Sequence, residues 1–290
     1  MTKFFTYSTL LAGLAVLGAT QHADAQQFTK RKQYTSIGVN LNAMNYFGDV
    51  NPQTGFASVK FGDTRPNIGI SVTHRYFPRV SGRFGLNIGR ISANDDNQAT
   101  SGDAYFRNNR NLNFRTNIYE ASAVLIVDLI ENRNNYLKRP DFVPYLFGGV
   151  AGFYFNPQGT RDGGNTWKDL QPLQTEGVDY SRVSLAIPFG IGVRYRISRN
   201  LDASFEAGLR KTFTGYLDDV NGTYVGLAGL GGDATSDRGY FGYGITKDHR
   251  NGTFDAAGTK RGQGKNDWYS VIGFSLNYIL NPKIKNPKFR

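Results

Sequence analysis

Cysteine is absent from the sequence. That excludes a disulfide framework, a thiolate metal site and a lipid-acceptor cysteine. Histidine is scarce: past residue 25 only His74 and His249 remain. His74 falls on the apolar face of an expected strand, and His249 sits among Lys247, Asp248 and Arg250, so neither joins a catalytic set. Long apolar runs are missing too, since past residue 25 no stretch approaches the ~18–20 residues of a transmembrane helix. Acids are outnumbered, 23 against 34 Lys and Arg, giving a formal charge of +11.

Glycine (35), phenylalanine (21) and tyrosine (17) are abundant, yet mean hydropathy is only −0.43. A chain in which each apolar residue alternates with a small or polar one has this balance. At the front, Lys3, the apolar run Leu10 to Ala19 and Ala23-Asp24-Ala25 form a secretory leader with a small-x-small cleavage site. Residues 1–25 are therefore expected to be removed. Residues 26–33 then form a periplasmic segment, 34–280 a barrel and 281–290 a basic tail. An exported chain with no helical span attaches to a membrane through strands.

Eight stretches alternate with a period of two. They are Tyr34 to Asn42, Asn67 to Phe77, Arg83 to Ile91, Thr116 to Leu129, Val143 to Phe155, Val183 to Arg196, Leu201 to Phe213 and Trp268 to Leu280. In the sixth, Val183, Leu185, Ile187, Phe189, Ile191, Val193 and Tyr195 share one face. In the seventh, Asp202, Ser204, Glu206, Gly208 and Arg210 lie opposite Leu201, Ala203, Phe205, Ala207 and Leu209. In the fifth, Val143, Tyr145, Phe147, Ala151, Phe153 and Phe155 are read as the lipid face, with aromatics at the membrane interfaces.

The links run long, short, long, short, long, short, long, the rhythm of an all-β, membrane-spanning, antiparallel up-and-down barrel with surface loops and periplasmic turns and termini. At eight strands side chains fill the interior. Arg75, Glu120, Arg194, Asp202, Glu206 and Arg210 are expected to pair there, which argues against a diffusion porin. Whether the longest link adds a hairpin around Tyr240 to Thr246 is left open.

On this topology positive charge gathers on the periplasmic side: Lys30, Arg31 and Lys32, then Arg79, Arg83, Arg133, Lys138, Arg139 and Arg199, then Lys283, Lys285, Lys288 and Arg290. Such a collar meets lipid headgroups or simply keeps the rim solvated, or else docks an acidic periplasmic partner. Nucleic acid is excluded as a partner by export. No catalytic residue, cofactor or metal is expected. Ser270 and Ser275 lack a neighbouring base in sequence, and Gly258 to Lys265 has Thr259 where a phosphate loop needs glycine, so it reads as a flexible basic loop. Asp218 and Asp219 alone do not make a calcium cage. They read as a hydrogen-bonded loop start.

Several strings carry a resemblance: Asn45-Tyr46-Phe47-Gly48-Asp49, Arg110 to Arg115 with Asn117-Ile118-Tyr119-Glu120, and Pro144-Tyr145-Leu146-Phe147 with Phe155-Asn156-Pro157. Leu170 to Leu173 with Thr175-Glu176-Gly177, Ile187 to Gly190, Arg210 to Phe213 and Tyr216 to Val220 continue it. In their order and spacing they resemble the Bacteroidota outer-membrane barrel family that includes PorG, a type IX secretion component. Gly215 departs from the acid expected before Tyr216, which weakens a metal site there. The resemblance implies a non-enzymatic barrel contacting periplasmic and outer-membrane secretion proteins. The alternatives are a surface barrel binding a ligand or neighbouring protein through its long loops, and a lipid-modifying barrel enzyme.

Overall fold

The computed structural model describes residues 32–50, 61–95, 112–244 and 256–280. Eight antiparallel strands form the wall: β1 (Thr35–Phe47), β2 (Arg65–Arg75), β3 (Val80–Asn94), β4 (Asn113–Asp128), β5 (Phe142–Gly159), β6 (Val183–Arg196), β7 (Leu201–Thr212) and β8 (Trp268–Leu280). Each pairs with its neighbours in sequence, and β1 pairs with β8 from Thr35↔Leu280 to Phe47↔Trp268, closing the barrel. Closure leaves no open sheet edge. The eight alternating stretches of the sequence coincide with the eight staves.

Alternation decides which side chain faces where. Ile37, Val39, Leu41, Ile68, Ile70, Val72, Leu86, Ile88, Leu125, Val150, Leu185, Ile191, Phe274 and Leu276 all lie exposed on the outer wall. A water-soluble domain would not leave so continuous an apolar belt uncovered. Aromatics edge the belt at the short-turn end (Tyr76, Phe77, Phe142, Tyr195, Tyr278) and at the other end (Tyr119, Tyr154, Phe213, Trp268). Along β8, Trp268 and Tyr278 are separated by ~33 Å of strand, or ~23 Å of height at a tilt of ~45°, close to the apolar height of an outer-membrane barrel. No helix among the described residues is long and apolar enough to cross a membrane.

The fifth stretch faces opposite to expectation. Val143, Tyr145, Phe147, Ala151, Phe153 and Phe155 are buried in the lumen, and Phe142, Leu146, Val150 and Tyr154 face out. Both faces of β5 are apolar, so its alternation fixes a period without a sign. The sign comes from the neighbouring strands: Gly192 on β6 stands directly beside Tyr145, where a Cβ would run into the Tyr145 ring, and a Cβ on Gly208 of β7 would lie 2.7 Å from Phe147. Side-chain-free positions on β6 and β7 make the space these rings fill.

Candidate functional site

The lumen is packed in three levels. At the short-turn end, Arg75 Nη1 donates to Asp128 Oδ2 at 2.8 Å and Arg194 Nη1 to the same oxygen at 3.3 Å. Beside them Arg139 holds Asp202, with Nη2 to Oδ1 at 2.6 Å, and donates to the carbonyls of Tyr136, Ser198 and Arg199. Arg139 is thus buried, a correction to its place on the basic rim: a guanidinium whose donors are used by Asp202 and two turns is not free to meet a partner.

Midway, Arg83 and Glu206 form a two-armed ion pair, with Nη2 to Oε2 at 3.0 Å, and Tyr145 Oη donates to Glu206 Oε1 at 2.6 Å. Arg83 therefore belongs to the lumen and not to the turn collar. Glu120 accepts from Tyr269 Oη at 2.6 Å and faces Arg210 Nε at 3.6 Å. Of the six charges singled out by sequence, only Glu120 and Arg210 pair with each other. Arg75, Arg194, Asp202 and Glu206 take Asp128, Arg139 and Arg83 instead. The lumen voids lined by Asn87 and Arg210, by Tyr145 and Arg194, and by Arg139 and Asp202 measure about 40, 20 and 10 Å³, room for single waters or a few.

At the long-loop end the lumen is closed by an apolar plug (Met44, Ile91, Phe114, Phe155, Leu217, Val220) and a polar cap above it. Tyr46 Oη donates to Asp218 Oδ2 at 2.6 Å and lies 2.8 Å from Asp267 Oδ1, its single proton serving one carboxylate and its lone pairs the other contact. Those carboxylates also take the backbone amides of Val50, Val220 and Leu217. Alongside, Arg261 Nη1 reaches Thr175 Oγ1 at 2.8 Å, Glu176 Oε1 at 3.1 Å and the Asp219 carbonyl at 2.8 Å. Glu176 accepts the Gly222 amide at 2.8 Å, and Tyr180 Oη donates to Asp219 Oδ1 at 2.6 Å. The Tyr180 ring stacks on Tyr216, with centroids 4.4 Å apart.

This cap corrects the reading of Gly258 to Lys265 as a flexible basic loop, because Arg261 in its middle is buried and ties two surface loops together. Sequence reasoning missed Arg261, Glu176, Tyr180 and Asp267. The available signal was the set of short strings: Tyr46, Thr175, Glu176, Leu217, Asp218 and Asp219 all come from them and converge here. Tyr240–Gly244 forms a π-helical turn, and the rest of the stretch to Thr246 lies outside the described residues.

Burial pushes the Asp219 carboxyl up to about 6, and burial with Asp218 beside it pushes Asp267 well above the usual carboxylate range. Between pH 4 and 6 the folded cap therefore holds a proton at Asp219 that the unfolded loop has released. Cap stability should fall as pH rises through that window, by roughly 2–3 kcal/mol for this group. Asp219→Asn should flatten the slope, read as loop proteolysis rates at pH 5 and 7.5. An equal slope in the variant would show that another group sets it. Asn suits the left-handed backbone at position 219 (φ 64°).

The remaining candidates are dispersed. Arg133 and Lys138 lie exposed in the turn between β4 and β5, with Arg79 and Arg199 exposed in the other two turns. Lys32 precedes β1 and is half-buried. Lys30, Arg31, Lys283, Lys285, Lys288, Arg290, His249 and the leader lie outside the described residues. His74 Nδ1 is 2.8 Å from Thr35 Oγ1, and Ser270 and Ser275 occupy opposite faces of β8. Among the described residues no group of three His, Cys, Asp or Glu side chains is arranged to hold a metal.

A closed eight-stranded wall, apolar outside and ion-paired within, defines an outer-membrane-type barrel with a filled lumen. The chain belongs to the family described as "Domain of unknown function (DUF6089)", whose model matches residues 23–254. No curated protein matches the sequence. Among solved structures it is similar to the attachment invasion locus protein Ail of Yersinia pestis, at 9% identity over 86% of this chain and 99% of that one, TM-score 0.38. It is also similar to Neisserial surface protein A (12%, 85% and 95%, TM-score 0.36). The N-terminal β-barrel domain of Pseudomonas aeruginosa OprF gives 10%, 85% and 99%, TM-score 0.33.

Proposed function

We propose that this protein is a non-enzymatic outer-membrane barrel that anchors a periplasmic assembly, as an accessory component of type IX secretion. The filled lumen carries the reading: a barrel occupied by Arg83–Glu206, Arg210–Glu120 and the aromatic plug has no path for cargo and serves as a fixed point. The apolar belt supports insertion in the outer membrane, and the leader supports export. Arg79, Arg133, Lys138 and Arg199, exposed at the turn end, together with the basic tail, suit acidic periplasmic ring proteins. The resemblance of the short strings to the PorG-containing family supplies the secretion machine itself.

Deleting the gene should abolish or sharply reduce release of type IX cargo, measured in culture supernatant. Normal release would remove the secretion role. Reversing Lys283, Lys285, Lys288 and Arg290 to Glu should lower capture of ring components in a pull-down at least several-fold. Unchanged capture would exclude the tail as the dock.

A second reading, a surface barrel that binds a ligand or neighbouring protein with its long loops, is favoured by the aromatic–cation ledge on the cap. Arg161 lies 4.1 Å over Tyr240 and also stands over the Phe241 ring. Cargo release that survives deletion, together with loss of a surface-bound partner on Arg161→Ala, would favour it.

A further inference from the structure

β3, β4 and β5 continue past the aromatic edge of the apolar belt, and their outward positions there turn polar. Arg90 Nε donates to Asn117 Oδ1 at 2.8 Å, Asn117 pairs across the sheet with Asn156, and Arg182 Nη1 donates to Asn156 Oδ1 at 3.3 Å. The result is one row, Arg90–Asn117–Asn156–Arg182, running across β3, β4 and β5 to the residue just before β6. One residue pair higher, Arg115 Nε donates to Gln158 Oε1 at 2.9 Å. One pair lower, Tyr119 and Tyr154 face each other with ring centroids 6.1 Å apart, and Arg182 lies over the Tyr154 ring.

None of Arg90, Arg115 and Arg182 forms an ion pair among the described residues. Asp169 does reach the row, but its Oδ1 is taken by the amides of Asn156 at 2.9 Å and Gln158 at 2.7 Å. The row keeps an excess of positive charge on a surface that faces sideways, away from the barrel axis. Its height decides what can meet it. Asn117 stands two residues above Tyr119, ~5 Å farther along the membrane normal, where tyrosine rings end and lipid headgroups begin. Below it the outer wall carries an open apolar groove of about 920 Å³ lined by Leu41, Ile68, Ile88, Phe205 and Phe274, and by Arg65, Arg90 and Asn117.

We propose that this arginine–asparagine row is a docking site for the phosphate groups of an outer-leaflet glycolipid of the lipid A type, with an acyl chain along the groove. Guanidinium forks match phosphate oxygens, and the side-chain amides of Asn117, Asn156 and Gln158 already orient all three forks. An acidic soluble protein would have to reach a wall facing the bilayer's own headgroups. A lipid is already there. The site rests on the outer-membrane reading above.

Purified full-length barrel in detergent should retain lipid A at least tenfold better than dephosphorylated lipid A, measured by native mass spectrometry. Equal retention of the two would overturn the proposal without recourse to any variant. The triple change Arg90→Gln, Arg115→Gln, Arg182→Gln should lower retention of lipid A about tenfold with an unchanged strand spectrum, and Arg→Lys at the same positions, which keeps the charge and loses the fork, should restore only part of it. Wild-type retention in the Gln variant would also overturn the proposal. Inorganic phosphate at millimolar concentration should compete weakly; full displacement by it would identify a free-phosphate site and overturn the lipid assignment. Fractionation of wild-type cells tests location separately. A barrel outside the outer membrane overturns both readings, whereas one correctly located but indifferent to lipid phosphate overturns this one alone.

Discussion

Arg261→Met should release the long-loop cap while leaving the barrel closed. Arg261 and Glu176 are 2% and 3% exposed and Asp219 is 1%, so the change leaves two carboxylates in a site that excludes water. Breaking a buried pair in this way costs about 3–5 kcal/mol, because the surviving charge is not solvated. The loss falls on the loops. Thr175 and Glu176 belong to residues 160–182, and Asp219 and Arg261 both belong to residues 213–267, so no wall strand loses a partner. Protease cleavage within these loops should accelerate by two orders of magnitude or more, with the strand spectrum and heat-modifiable migration on gels unchanged. The effect should shrink at pH 5, where Asp219, pushed up to about 6 by burial, takes a proton and one of the two stranded charges disappears. Loops as resistant as wild type at pH 7.5 would show that the apolar plug alone holds the cap.

The wall was legible in the sequence because a barrel stave must alternate, and β6 and β7 do so with opposite chemistries on the two faces. Lipid wants Ile187 and Phe205, while the lumen accepts Gly192 and Glu206. β5 shows the limit of that logic. Phe147 and Leu146 are both apolar, and only the glycines of other strands decide which one points inward. Pairings inside the lumen were less legible still. Arg83 and Arg139 look like turn residues in sequence, but the tilt of the strands and the fold of the turn carry their guanidinium groups to Glu206 and Asp202. The cap was least legible, because Tyr46, Glu176, Asp219, Arg261 and Asp267 come from distant loops whose meeting no periodicity encodes. What the sequence did carry was the short strings around Tyr46, Thr175-Glu176 and Leu217 to Asp219, whose significance as one cluster emerges only when the loops close.

Asp128→Ala should be the most damaging single change to the wall itself. Asp128 is 1% exposed and is the carboxylate for two cations, Arg75 at 2.8 Å and Arg194 at 3.3 Å, whose side chains are 3% and 15% exposed. Arginine cannot shed its proton to escape, so the variant holds two guanidinium groups together with no counter-charge between them. Arg75 has a further contact at the Pro78 carbonyl and lies near the Tyr34 ring, but a carbonyl and a ring do not cancel a full charge in a dry site. A loss of about 3–5 kcal/mol is expected, seen as a lower urea midpoint for refolding into lipid vesicles and a lower temperature of heat modification. Adding Arg194→Met should recover part of the loss by removing one of the opposed charges. This compensation distinguishes repulsion from a simple cavity, because a cavity would only be enlarged by a second truncation. An Asp128→Ala barrel that melts with wild type would mean that water enters the turn end and solvates both arginines. In that case the lumen would be open at the short-turn end and could not act there as a sealed anchor.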